Sequence, residues 1–345
     1  MPAAANATPL PGRQSQPFIA ADVGGTHVRI GLVQAGGEAG APLQVLAYSK
    51  FRCADYAGLA DILRDFIASL PGARGATVRV AVIASAGYPL ADGTVITANL
   101  PWRLSPVEIR DSLGLDAVHL ANDFEAVAHA VAHLGANEVL QLAGPERTAS
   151  GPLLVLGPGT GLGAAVWIPT STRPVVLATE AGQAALAVGT ELEMSLLRQM
   201  LGQRSHVPVE HALSGPGLMN LYNALCALRG VTPVFARPGE VTAAALDGSD
   251  ALARESLEVF CGLLGSTVGD MALLYGVQGV YLAGGILPHI REFLVRSDFV
   301  ARFLNKGPMR EALERVSVRL VEHGQLGVIG AASWYLGSGF SEEVR

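Results

Sequence analysis

The sequence predicts an α/β protein built from two related halves. Strand-like and helix-like segments alternate along almost its whole length, the pattern of sheets with helices packed against them. Two stretches, "FIAADVGGTHVRIGLV" (residues 18–33) and "PLLVLGPGTGLGAAVWI" (152–168), repeat one arrangement of strand, glycine turn and strand, with Gly25 aligning on Gly159 and Thr26 on Thr160. A third glycine turn, Gly284-Gly285, follows the strand of "GVYLAGGILP". Gly-rich hairpins can also resemble one another by chance, so the duplication is an expectation that topology tests.

The elements follow in order. Phe18 to Ala21 and Val28 to Val33 read as strands joined by the Gly24-Gly25 turn. "YAGLADILRDFIASL" has helical periodicity, and "ATVRVAVIAS" after it is an apolar strand. In "LSPVEIRDSLGL", Ser105, Pro106 and Glu108 stand at the N-cap, first and third positions of a helix, the pattern of a capping box. "DAVHLAND" is a short strand, and "FEAVAHAVAHLG" a helix stopped by Gly135. Beyond the second hairpin, "LSGPGLMNLYNALCALRG" is a capped helix, and a long one runs from Asp250 to a stop at Gly276. "LGVIGAASWYL" closes the chain as a helix.

Composition narrows the function. A chain of 345 residues that is 50% hydrophobic and 16% charged buries a sizeable core. The net charge of −6 argues against a nucleic-acid footprint, which needs a basic face. No uninterrupted apolar run reaches the ~18 residues of a membrane span, and residues 1–16 lack the apolar core of a signal peptide, so a disordered tail is expected there. Cys53, Cys226 and Cys261 are widely spaced and form no C-x-x-C pair, which fits reduced thiols in a cytoplasmic protein rather than a zinc site or disulfide framework.

Glycine turns let successive backbone N–H groups point into one concavity where a phosphate nests without meeting a Cβ. One such turn is an ordinary tight hairpin; three (Gly24-Gly25, Gly157 to Gly163, Gly284-Gly285) point to a nucleotide. No Gly-Lys-Ser/Thr string of a P-loop is present. Gly159-x-Gly161-x-x-Ala164 matches the dinucleotide fingerprint, with Glu180 about 20 residues on, but that fingerprint must open a helix and "AAVWIP" reads as strand. Asp22 either caps its own turn or faces the phosphates. Beside a triphosphate it would repel the ligand without a divalent cation between them, and Mg²⁺ is the natural bridge.

"AND" at 121–123 ends a strand and begins a helix, the place where ligands bind in open α/β sheets. Asn122 or Asp123 serves as N-cap. Asp123 in that position can also orient a hydroxyl and accept its proton during phosphoryl transfer. Glu180 in "ATEAGQ" and Glu210 before "SGPG" are either solvated loop charges or acceptors for vicinal sugar hydroxyls, with Asn122 offering both donor and acceptor.

The ordered set "DVGGT", "TANLPW", "ANDFEAVA", "GPGTGLG", "TEAGQ", "VEHALSGPGL", "YLAGGI" and "GQLGVIGAA" resembles the bacterial glucokinase family over Phe18 to Leu336. The cysteine-rich zinc motif of the repressor-type sugar kinases is absent. The resemblance implies a two-domain, actin-like (ribonuclease H-like) ATPase fold with a cleft between the domains. Its small domain would be residues 17–133 plus 321–345 and its large one 134–320. It implies ATP-dependent phosphorylation of the glucose 6-hydroxyl at the entry to glycolysis, with Mg²⁺, and suggests a homodimer. Carried over by position, Asp22, Gly24, Gly25 and Thr26 match the first phosphate turn, with Asp22 toward the metal. Gly159, Thr160 and Gly161 match the second turn, and Gly284 and Gly285 the adenosine side. Asn99, Asn122, Asp123, Glu180, Gln183 and Glu210 match the sugar contacts, with Asp123 as general base.

Two departures stand out. The family's Glu-Gly-Gly-His is Glu180-Ala181-Gly182-Gln183 here, and its Asn after "GGT" is His27. The expected consequence is a weaker hold on the sugar. A relative that binds sugar and acts as a sensor or regulator with little turnover is therefore the rival reading. A bare actin-like ATPase is disfavoured, because it gives Glu180 and Glu210 nothing to do.

Overall fold

The computed structural model describes residues 16–36, 43–72, 77–89, 94–96, 100–131, 134–146, 150–171, 174–322 and 324–338. The expected tail up to Ser15 and the expected sugar contact Asn99 lie outside them. The chain divides into two compact units, residues 1–133 with 325–345 and residues 134–324.

In unit 1, β1 (Phe18–Val23) and β2 (His27–Gln34) form the expected hairpin, and β3 (Gln44–Arg52) extends it. Helix α1 (Leu59–Ser69) leads to β4 (Val80–Ser85), then to a two-stranded ribbon, β5 (Tyr88–Pro89) and β6 (Val95–Ile96). Helix α2 (Pro106–Leu113), β7 (Ala117–Ala121) and α3 (Asp123–Ala130) follow. The sheet order is β3-β2-β1-β4-β7. β2 and β3 run antiparallel to their neighbours, while β1, β4 and β7 are mutually parallel. Every residue of β1 except Asp22 is buried, as a central strand covered on both faces requires. Ser105 caps α2 through Glu108 N (3.3 Å). The return bond from the Glu108 side chain is not among the described hydrogen bonds, so the expected capping box is a simple N-cap. α3 ends at Ala130, before the expected stop.

Unit 2 begins with β8 (Val139–Ala143), the hairpin β9 (Leu153–Pro158) and β10 (Leu162–Ile168), and β11 (Val175–Thr179). Helices α4 (Glu191–Leu201), α5 (Gly215–Arg229), α6 (Pro238–Asp247) and α7 (Ala251–Tyr275) precede β12 (Gly279–Leu282). Short helices α8 (Arg291–Arg296), α9 (Phe299–Leu304) and α10 (Arg310–Leu313) lead to β13 (Ser317–Val321). The last helix, α11 (Leu326–Ser338), returns to unit 1. The sheet order is β11-β10-β9-β12-β13-β8. β9, β12 and β13 are parallel, β10 and β11 antiparallel.

The two sheets therefore repeat one topology: a central strand, two antiparallel strands on one side and two parallel ones on the other. The second sheet adds the antiparallel edge strand β8. This is the duplication that the two glycine hairpins predict.

α7 differs from expectation. Its most apolar window has mean hydropathy 1.5 and is long enough to cross a membrane, because scattered Ser, Thr and Gly do not lower hydropathy as charges do. Yet 67% of that window is buried within unit 2, where Leu257, Phe260, Leu264 and Val268 pack in the core. Asp250 caps its start through Ala253 N (2.7 Å), and Gly276 at φ 60° ends it.

Candidate functional site

In unit 1 the parallel strands β1, β4 and β7 end at one edge of the sheet, at Val23, Ser85 and Ala121. The residues that follow β1 and β7 carry the predicted chemistry. Gly24, Gly25 and Thr26 make the turn out of β1. Gly24 N donates to His27 O (3.1 Å), and Cys53, buried behind the turn, donates its N to Thr26 O (2.9 Å) and its Sγ to Gly24 O (3.2 Å). The turn is thus pinned from one side, and Thr26 is exposed on the other.

Asn122 is the N-cap of α3, its Oδ1 accepting from Phe124 N and Glu125 N at 3.0 Å each. Asp123 is the first helical residue, and its Oδ1 accepts from Phe124 N at 2.9 Å. Both side chains therefore accept backbone amides at the helix start, with Asn122 as the N-cap and the Asp123 carboxylate beside it.

Asp22 lies at the same edge against the first turn of α11. A Cβ on Gly327 would stand 2.4 to 2.7 Å from the Asp22 side chain, so only glycine permits this contact. Arg29, its cross-strand partner, donates to Oδ2 (3.2 Å). Burial pushes the Asp22 carboxyl above its ordinary value, and Arg29 only partly offsets this. Among the described residues no three acidic, histidine or cysteine side chains gather to hold a metal. A lone part-buried carboxylate still suits Mg²⁺, which commonly takes one or two carboxylates and completes its shell with waters and substrate phosphates.

In unit 2 the tip of the β9–β10 hairpin is Gly159, Thr160 and Gly161. It is closed by Gly159 N to Gly161 O (2.8 Å) and docked by Gly215 N to Gly159 O (2.8 Å) onto the start of α5. Three residues lie beyond the last pair, Pro158↔Leu162, against four beyond Val23↔Val28 in unit 1, so the two turns differ by one residue. At the exit of β12, Gly284 packs on Pro158 O. A Cβ on Gly157 would overlap Ala283 O, at 1.2 Å, so β9 and β12 leave the sheet in close contact.

Glu210 sits beside this hairpin. Its Oε2 accepts from Leu162 N (3.4 Å), and its Oε1 accepts from Gln183 Nε2 (2.8 Å). The absence of a Cβ on Gly161, where one would lie 2.7 Å from Oε2, makes room for the carboxylate. Glu180 is exposed at the start of the short turn 181–183, its carbonyl accepting from Gln183 N (2.9 Å). The structure thus brings Gln183 and Glu210 together and places Glu180 at the same turn.

The sequence pattern of the glucokinase family matches residues 19–337. The chain belongs to the glucokinase family. A glucokinase-like protein of Xylella fastidiosa (strain 9a5c) is 59% identical over 320 residues, 92% of this chain and 94% of that one. The glucokinase of Paramagnetospirillum magneticum (strain ATCC 700264 / AMB-1) is 38% identical over 320 residues, 92% and 97% of the two chains. The crystal structure of glucokinase from an Antarctic psychrotroph matches with a TM-score of 0.78 at 32% identity, covering 93% of this chain and 98% of that one. The two-sheet α/β architecture is accordingly the actin-like one of the sugar kinases.

Within this glucokinase-family chain, sequence reasoning missed Arg29, Cys53 and Gly327. Arg29 had no fixed signal, since a two-residue Gly24-Gly25 turn would set His27 opposite Asp22 and only the four-residue turn brings Arg29 there. Cys53 and Gly327 reach the turn from distant points in the chain, and no local pattern marks them.

Proposed function

We propose that the protein is a hexose kinase of glucokinase type, transferring the γ-phosphoryl group of ATP to the 6-hydroxyl of glucose with Asp123 as general base. The observation that carries this reading is the shared sheet edge in unit 1, where Asp123 at the start of α3 accompanies the pinned glycine turn and Asp22. A phosphate-binding turn and a carboxylate able to accept a hydroxyl proton are the two parts phosphoryl transfer needs. In this reading the backbone amides of residues 24–26 and 159–161 hold phosphates, and Gly284-Gly285 borders the adenosine. Asn122, Glu180, Gln183 and Glu210 hold sugar hydroxyls. The 6-hydroxyl gives its proton to Asp123 as its oxygen attacks the γ-phosphorus, and ADP leaves. Asp22, directly or through a water, would hold Mg²⁺ brought with the nucleotide, and the ion would supply neutralisation of phosphate charge.

A coupled assay of ADP release over a hexose panel tests this. Asp123→Asn keeps a hydrogen-bonding side chain, so glucose binding by calorimetry stays, while turnover falls by roughly 10²-fold or more, the scale of general-base catalysis. Unchanged kcat in a folded variant would remove Asp123 from the role. The second reading, a sugar sensor with little turnover, draws on the Gln183–Glu210 bond, because a hexose using Glu210 must displace that amide. Glucose binding without ADP release in the parent protein decides for it.

A further inference from the structure

The start of β2 and the end of β3 place four basic side chains on one face of the sheet. His27 opposes Arg52, and Arg29 opposes Lys50. Residues two apart in a strand share a face, so these are two successive rungs, about 7 Å apart, with cross-strand partners roughly 5 Å from one another. The first rung adjoins the glycine turn, since Cys53 N bonds Thr26 O (2.9 Å) directly beside it. Lys50 and Arg52 are exposed, and Arg29 is half-buried. His27 is held below its usual value by burial first and then by Lys50, Arg29 and Arg52, a sign that the three fixed cations converge.

This ladder gathers positive charge on an acidic chain, whose net charge is −6. Several exposed arginines elsewhere carry acidic partners, as in Arg64–Asp61, Arg229–Glu255 and Arg254–Glu258. Others, such as Arg103 and Arg204, stand singly among the described residues and are not gathered on facing strand positions. In the ladder the ion pair among described residues is Arg29 to Asp22. Like charges set opposite one another destabilise a sheet, so the fold gains nothing from Arg29 facing Lys50. An anionic ligand would turn that repulsion into attraction.

We propose that the ladder binds a linear phosphate chain, inorganic polyphosphate, laid along β2 and β3 outward from the turn at residues 24–26. A single phosphate would use one rung at most. Two rungs in line with a glycine turn match an unbranched anion that repeats its charge at short intervals. A nucleic acid needs a broader basic face than two rungs on an acidic protein provide. The assignment of the turn to phosphates, part of the kinase reading, fixes only where the chain starts.

The test is calorimetric titration, without hexose, of inorganic tripolyphosphate, long-chain polyphosphate and a single-stranded oligonucleotide into the parent and the Lys50→Gln/Arg52→Gln double variant. Both side chains are exposed, so the variant folds, which circular dichroism checks. The parent binds the long chain more tightly than tripolyphosphate, and added salt narrows the difference by screening. The double variant loses about five- to tenfold of the long-chain affinity, the scale of two solvent-exposed ion pairs, and keeps tripolyphosphate and ATP affinities. Equal affinity for short and long chains, an unaffected variant, or an oligonucleotide that binds as well as polyphosphate overturns the proposal. Absence of ADP release in the hexose assay would sink the kinase reading and leave this result standing.

Discussion

Gln183 stands where the family pattern has histidine, and its amide is already spent on Glu210 at 2.8 Å. Its stem is longer and freer than an imidazole, so fixing it against a sugar hydroxyl costs more side-chain entropy. Displacing the Glu210 bond costs about 1.5 kcal/mol, the lower end of the range for a hydrogen bond to a charged group. Gln183→His with Ala181→Gly is therefore expected to raise kcat/KM for glucose several-fold, read in the ADP-release assay; no gain would show that Gln183 is not what limits turnover. At this scale the sequence was readable where chemistry is local. Asp22, Asn122 and Asp123 declare themselves by residue type at strand ends, and the caps of α2, α5 and α7 follow from Ser105, Ser214 and Asp250. The Asp22–Gly327 contact was not readable, because it joins residues from opposite ends of the chain.

Between elements, the glycines of the second hairpin separate into two kinds. Gly157 lies under Ala283 O, where a Cβ would come within 1.2 Å, whereas a Cβ on Gly159 meets nothing within 4 Å. Gly157→Ala must force β9 from the exit of β12, at a cost of about 1–3 kcal/mol or more, as overpacking does. Gly159→Ala is expected to leave the melting temperature nearly unchanged while weakening ATP, since its new methyl projects where the proposed phosphates lie. Thermal melts and nucleotide titrations of both variants check this. A Gly159→Ala protein with full ATP affinity would return the tip to the status of a plain tight turn. The sequence shows both glycines as one motif, "GPGTGLG". Only the close approach of β9 to the chain leaving β12 distinguishes the structural glycine from the one free to serve a ligand.

Across the whole molecule, the repeated sheet topology was legible because two hairpins of one design imply two sheets of one design. The bounds of α7 were legible too, from Asp250 and Gly276, but its apolar character was not, since its small polar residues break an unbroken apolar run yet lower mean hydropathy far less than charges do. Unit 2 is one continuous stretch, residues 134–324, with its own sheet and a core that includes Leu156, Leu221, Phe260 and Phe299. It also holds the buried ion pair of Glu193 (3% exposed) with Arg302 (16%), joined by bonds of 2.6 and 2.9 Å. Gly189 N (2.7 Å) and Thr190 N (3.2 Å) donate to the same carboxylate. Burial alone would raise the Glu193 carboxyl, but Arg302 and these amides outweigh it and hold it below the usual 4.5. Its contribution to stability is accordingly complete above pH 4.5 and is lost as the pH falls through the lower folded-state value. Residues 134–324 produced alone are expected to melt cooperatively with ordered near-ultraviolet dichroism. Glu193→Gln should destabilise that segment at pH 7 by about 3–5 kcal/mol, the cost of leaving one partner of a buried pair uncompensated. The gap between segment and variant should close as the pH is lowered well below 4.5. A segment without a cooperative transition would mean that unit 2 depends on the rest of the chain, and a gap indifferent to pH would mean that Glu193 acts through packing rather than charge.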